Sequence, residues 1–193
     1  MSGSDPDLDA LVTAFVAAAL AEWGDKTQLI VALLAARSGR PGLVLLGLLI
    51  AAAASSAAAA LGAALIAGQI TLRAMSLLVA LALLFAGVAG LIRRRPPSIG
   101  SPRTPLLLAV PVLCLAAELG DRTQFLTFAL AGRFEPVLAA AGATAGIVAA
   151  CVPAALLGAR LEAAVPVRAV RIGGAVLFLL AGFFVAVSAL RLT

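Results

Sequence analysis

The chain has 193 residues, 63% of them hydrophobic and only 12% charged, with a mean hydropathy of +1.15. A soluble domain carries about twice that share of charge, so the composition excludes a water-soluble globular protein and predicts one built into the bilayer. The net charge of +5 is no sign of nucleic-acid binding, because the bases fall in short gaps between apolar runs and form no stripe interleaved with aromatics.

Proline, glycine and arginine punctuation predicts six apolar segments, at about 8–36, 42–68, 73–92, 105–131, 137–158 and 167–190. Residues 10–21 of the first segment are apolar and end in Ala19-Leu20-Ala21, as a secretory signal would. The residues before it carry Asp5, Asp7 and Asp9 and no base, which is the wrong sign for a signal peptide. The second segment contains "AAAASSAAAALGAAL" (51–65) and the fifth "AAAGATAGIVAA" (139–150), small-residue stretches that let neighbouring helices approach closely. Pro111 and Pro153 sit inside the fourth and fifth segments. Between the third and fourth lies "RRRPPSIGSPRT" (93–104), too rich in proline to be helical.

That linker divides two similar halves. "AEWGDKTQL" at 21–29 returns as "AELGDRTQF" at 117–125, so that Glu22 and Glu118 are 96 residues apart. Near the end of each half the offset is 95, with "RAMSLLVALALLFAG" (73–87) against "RAVRIGGAVLFLLAG" (168–182). The expected organisation is a first three-helix repeat over 1–92, a short basic linker over 93–104 and a second repeat over 105–193.

Three crossings per half invert the second half relative to the first, the arrangement of many secondary transporters, with a site near the midplane. Placing both termini outside puts nine arginines in inner loops (Arg37, Arg40, Arg93, Arg94, Arg95, Arg103, Arg160, Arg168 and Arg171) against three outer ones, Arg73, Arg133 and Arg191. The fold class expected is therefore an all-α integral membrane protein of six transmembrane helices, in two inverted-topology repeats with both termini outside.

The doubled cassette carries the chemistry. On a continuous helix Glu22, Asp25 and Lys26 share one face, Gln28 extends it, and Thr27 points to the back. The second copy supplies Glu118, Asp121, Arg122, Gln124 and Thr123. Each charge at the bilayer centre costs about 2.5–3.5 kcal/mol on insertion scales, so six of them argue for function. Packing glue through i,i+4 pairs, Glu22–Lys26 and Glu118–Arg122, is the plain alternative, but it leaves the second acid of each cassette unexplained.

Four carboxylates and two cations leave a net charge of −2, which one divalent cation or two protons would neutralise. Glu22, Asp25, Glu118 and Asp121 are the expected metal and proton-coupling groups. Gln28 and Gln124 are the amide ligands, and Lys26 and Arg122 balance charge. Thr27, Thr123, Ser55 and Ser56 are weaker candidates, since such hydroxyls often bond to their own helix. Oxygen donors without histidine favour hard ions such as Mn²⁺ or Ca²⁺. Gly24 and Gly120 allow either close helix contact or local unwinding. Cys114 and Cys151 lie within apolar runs; Cys114, one turn before Glu118, either faces the site or is filler, and its counterpart Ala18 favours filler. No nucleophile–base arrangement is present, so neither an enzyme nor a bound cofactor is expected beyond the transported ion.

The pattern E-x-G-D-[KR]-[ST], twice in register as "EWGDKT" (22–27) and "ELGDRT" (118–123), resembles the Gdt family of manganese/calcium–proton antiporters, of the lysine-exporter superfamily. The resemblance covers the whole chain. It implies exchange of Mn²⁺, and in some members Ca²⁺, for protons, with removal of excess manganese in bacterial members. The family's motif acids fall on Glu22, Asp25, Glu118 and Asp121. The larger members carry a longer, often acidic central loop where this chain has a short basic one. The compact chain suits a bacterial plasma membrane. Other readings are an exporter of cadmium or an amino acid on a related scaffold, a passive cation channel, and a non-transporting membrane subunit.

Overall fold

The computed structural model describes residues 5–92 and 105–190. The basic linker expected at 93–104 and Arg191 lie outside the described residues.

The first half holds α1 (Pro6–Glu22), α2 (Lys26–Ser38), α3 (Pro41–Ala67) and α4 (Leu72–Leu91). The second holds α5 (Leu106–Glu118), α6 (Arg122–Arg133), α7 (Pro136–Leu157), a 3₁₀ turn at Gly158–Arg160, the four-residue α8 (Leu161–Ala164) and α9 (Val167–Leu190). Helix starts follow local chemistry. Proline opens α1, α3 and α7, where its missing N–H costs nothing, and Asp5, Thr71 and Glu135 cap α1, α4 and α7 through their side chains.

Among the described residues α3, α4, α7 and α9 are each long and apolar enough to cross a membrane. The segments expected as continuous helices at 8–36 and 105–131 are instead broken, each by three residues around a glycine. Gly24 has φ +68° and Gly120 φ +72°, a left-handed conformation that other residues rarely adopt, so the chain leaves the helix just after each glutamate. The unwinding reading of these glycines holds at both positions, while close packing accompanies it at Gly24, where Arg171 and Val167 of α9 approach.

The halves interlock. α1 packs on α7, and its counterpart α5 packs on α3; α3 and α7 also meet each other, as do α4 and α9. Small residues permit these approaches, because without a hydrophobic drive between helices close van der Waals contact has to hold them. Gly87 of α4 lies against Leu179 and the Ala175 carbonyl, and Gly182 of α9 lies against Leu84 and the Ala80 carbonyl. These two glycines hold the same position in the two repeats.

The α1–α7 crossing is tighter. A Cβ at Gly142 would overlap the carbonyl oxygen of Leu11, and one at Gly146 that of Phe15. Neither obstacle is a flexible side chain. Gly146→Val should therefore cost at least about 3 kcal/mol, the upper range for overpacking, while Gly173→Ala, with nothing within 4 Å of the new methyl, should be neutral. Thermal unfolding of the purified variants in detergent checks the pair.

The interior is built largely of alanine, with Ala51, Ala52, Ala63, Ala82 and Ala86 all buried. Large apolar side chains such as Leu61, Leu65, Leu72 and Phe184 point outward, as a lipid-facing surface requires.

Candidate functional site

Both cassettes sit at the helix breaks, and the breaks are mirror copies. In each, the aspartate N–H donates to the carbonyl of the glutamate three residues earlier, Asp25 to Glu22 and Asp121 to Glu118. In each, the glycine N–H donates to the glutamine four residues on, Gly24 to Gln28 Oε1 at 2.9 Å and Gly120 to Gln124 Oε1 at 2.7 Å. Breaking a helix inside an apolar interior exposes backbone donors that must find partners. The glutamines supply them. Gln28 further donates from Nε2 to the Ala150 carbonyl of α7 at 2.7 Å. The amides expected to face the ion thus hold the shape of the breaks.

The break also re-aims the side chains. On an unbroken helix Thr27 would point away from Glu22 and Asp25. Here it is buried and its hydroxyl donates to Glu118 Oε1 of the other half at 3.0 Å. Thr123 returns the contact to Glu22 Oε2 at 3.2 Å. The threonines, weak candidates in the sequence, are the groups that tie the two cassettes together, and they do so across the repeat boundary rather than within a helix.

The charges are exchanged between halves too. Lys26 lies 3.1 Å from Asp121 and donates to the Ala117 carbonyl at 3.1 Å, while Arg122 lies 3.3 Å from Asp25. The i,i+4 pairs that a packing-glue role would use, Glu22–Lys26 and Glu118–Arg122, are not the ones formed. Each aspartate takes a cation from the opposite half, and among the described residues neither glutamate does.

This partition leaves Glu22 and Glu118 as a distinct pair. They are 1% and 2% exposed, and each is close enough to the other cassette's acids to feel their charge. One oxygen of each accepts from a threonine. The other, Glu22 Oε1 and Glu118 Oε2, has no hydrogen-bond partner among the described residues. A buried carboxylate oxygen without a donor is costly, and a bound cation or a proton is what relieves it. Each aspartate thus lies beside a base of the opposite half. Among the described residues no three Asp, Glu, Cys or His side chains gather as a ready cage, so an ion here would complete its shell with hydroxyl, carbonyl or water oxygens.

The two mirror halves of the site differ in access. A cleft of about 640 Å³ reaches Gly120, Asp121 and Gln124 and is walled by Phe85, Phe125 and Phe128, the first two rings meeting edge to face at 6.0 Å. Lys26, on this side, keeps 35% of its side chain exposed, whereas Arg122, on the other, keeps 3%. Gly120 is exposed and Gly24 is buried. The phenylalanines of the cleft and the covering of Gly24 by α9 went unread in the sequence, where aromatic and arginine positions in separate segments gave no sign of meeting.

Ser55 and Ser56 are buried on α3, at 2% and 1% exposure, and the Ser56 hydroxyl has no partner among the described residues. Neither lines the cleft. Cys114 and Cys151 are both buried within the apolar core.

Matched against known families, residues 10–97 and again 106–192 fit the description "Divalent cation/proton antiporter GDT1". The chain belongs to this family. The two GDT1 matches fall one on each half, each containing one cassette, and together they cover most of the length. No curated protein and no solved structure matches the chain. Membership makes this GDT1 chain an integral membrane protein of a divalent cation/proton antiporter family, and its transported species a divalent cation and protons.

Proposed function

We propose that the protein exchanges Mn²⁺, with Ca²⁺ as a second substrate, for protons at one site shared by the two halves, and that it lowers cytoplasmic manganese in a bacterial plasma membrane. The observation that carries this reading is the mirrored glutamate pair, each member buried, tied by one oxygen to the opposite threonine and unpartnered at the other. Two such carboxylates neutralise one divalent cation or two protons, and they cannot hold both loads at once. That competition is the elementary requirement of an antiporter. Oxygen donors alone, with no histidine in the chain, suit hard ions.

The topology that goes with this function is six crossings in two inverted repeats, 1–92 and 105–193, with both termini outside. α1 with α2 and α5 with α6 are then two crossings broken at the midplane, which carries irregular backbone only where it lines a site. In this arrangement Glu22, Glu118, Thr27 and Thr123 form the ion's first contacts. Asp25 and Asp121, each held by a base from the other half, set the field around them, and Gln28 and Gln124 preserve the breaks.

The reading is tested by purified protein in proteoliposomes under an imposed pH gradient, with Mn²⁺ uptake and internal pH followed together. Metal uptake that discharges the gradient is expected. Metal movement with no proton movement would make the protein a channel. Absence of movement of either ion, in protein shown to be folded, would overturn the reading in favour of a different cargo.

A further inference from the structure

The mirror symmetry of the two breaks fails at the covering of the glycines. Among the described residues a methyl placed on Gly120 would meet nothing within 4 Å, while one placed on Gly24 would lie 3.0 Å from Arg171 Cδ and 3.3 Å from Val167 Cγ1. Both covering side chains belong to the first turns of α9. Arg171 is anchored there, its Nη1 donating to the Ile92 carbonyl just past the end of α4 at 3.1 Å. The stem of the arginine thus lies across the break, and its guanidinium is tied to the other half of the molecule.

The repeat register shows that this cover has no twin. "RAMS" at 73–76 aligns with "RAVR" at 168–171, so the counterpart of Arg171 is Ser76. The Ser76 hydroxyl bonds back to the Leu72 carbonyl of its own helix at 3.0 Å. Where one half carries a long cationic side chain the other carries a short neutral one. The start of α4, which carries this serine, lies against the far end of α6, where Met75 meets Gly132, while Gly120 is exposed and the cleft reaches Asp121.

We propose that Arg171 is the residue that seals the Gly24 face of the site, and that it must release Ile92 and withdraw from Gly24 before an ion can pass on that side. Two properties suit it to the task. Its aliphatic stem fills the space over a glycine that has no side chain of its own, and its fixed positive charge repels a divalent cation from a closed path. Its hydrogen bond to the Ile92 carbonyl is a latch that can be broken and remade. The role rests on the exchange reading above for its functional meaning, but the seal itself is a statement about water access and can be examined without transport.

Trp23 is the only tryptophan, sits at the end of α1 immediately before Gly24 and is half-buried. Its fluorescence quenching by acrylamide therefore reads the Gly24 face. The experiment compares the full-length protein with Arg171→Ser, Arg171→Met and Arg171→Lys, in quenching and in the proteoliposome exchange assay. A closed state opens to a minor population of about 0.1–10%, so loss of the seal is expected to raise quenching at least about twofold. Arg171→Ser should show this together with Mn²⁺ movement that carries fewer protons per ion. Arg171→Met, which keeps the volume and loses the charge, should retain low quenching but lose coupling. Arg171→Lys should resemble the parent protein in both.

Unchanged quenching and unchanged coupling in both Arg171→Ser and Arg171→Met would overturn the proposal. If Arg171→Ser does not purify as a single species, Arg171→Met decides through its coupling ratio. If the parent protein exchanges nothing, the function proposed above fails while the quenching comparison still decides the seal.

Discussion

Replacing Glu22 or Glu118 by glutamine is expected to abolish metal–proton exchange while leaving the protein folded. Glutamine keeps the shape of the side chain and an oxygen that can accept from Thr27 or Thr123, the contacts that join the cassettes. It removes the negative charge and the titratable proton together. One glutamine leaves a single carboxylate, which neither neutralises a divalent cation nor offers two protons in return. Loss of an outer partner of a metal ligand costs about 10–100-fold, so loss of a ligating carboxylate should exceed about 100-fold in uptake. Because the halves are mirrored, the two variants should fail alike. Full coupled exchange in either would show that the ion does not use both halves at once.

The second large effect is on stability and concerns the two cations, which the motif writes as equivalent. Arg122 and Asp25 are 3% and 1% exposed in their side chains, whereas Lys26 keeps 35% of its surface. Breaking a buried pair from one side strands the remaining charge at a cost of about 3–5 kcal/mol, while a pair open to solvent contributes about 0–1 kcal/mol. Arg122→Gln should therefore lower the thermal midpoint strongly and Lys26→Gln only slightly. The double variant Arg122→Gln with Asp25→Asn should recover much of the loss, since no lone charge is left inside. Differential scanning fluorimetry of the four proteins in one detergent settles the order. Equal effects of Arg122→Gln and Lys26→Gln would contradict the unequal burial of the two halves.

The backbone geometry connects these expectations to the sequence. The motif writes Glu22 and Asp25 on one helix turn, and helical periodicity then assigns Thr27 to the far side. The left-handed glycine between them cancels that periodicity. A single residue with positive φ rotates everything after it, so a face predicted at 100° per residue ends at Gly24 and at Gly120. The pairing of Lys26 with Asp121 and Arg122 with Asp25 was hidden for a related reason. Local spacing offers an i,i+4 partner for each base, and only the interlocking of α1 and α5 with the opposite half brings a better one within reach.

The sequence by itself determined that this protein lives in a membrane, that it is made of two copies of one unit, and which residues are candidates for its chemistry. Composition, apolar run length and a repeated cassette carry that information because bilayer thickness and the cost of buried charge act on any chain, whatever its topology. Tertiary structure decided how those residues divide their work. It set the aspartates beside the bases, the glutamines against the breaks and the threonines across the two halves onto the glutamates. It also decided that one face of the site is reached by a cleft while the other lies under Arg171. Such assignments depend on which atoms meet across about 90 to 120 residues of chain, and contacts of that range are set by packing rather than by any local pattern.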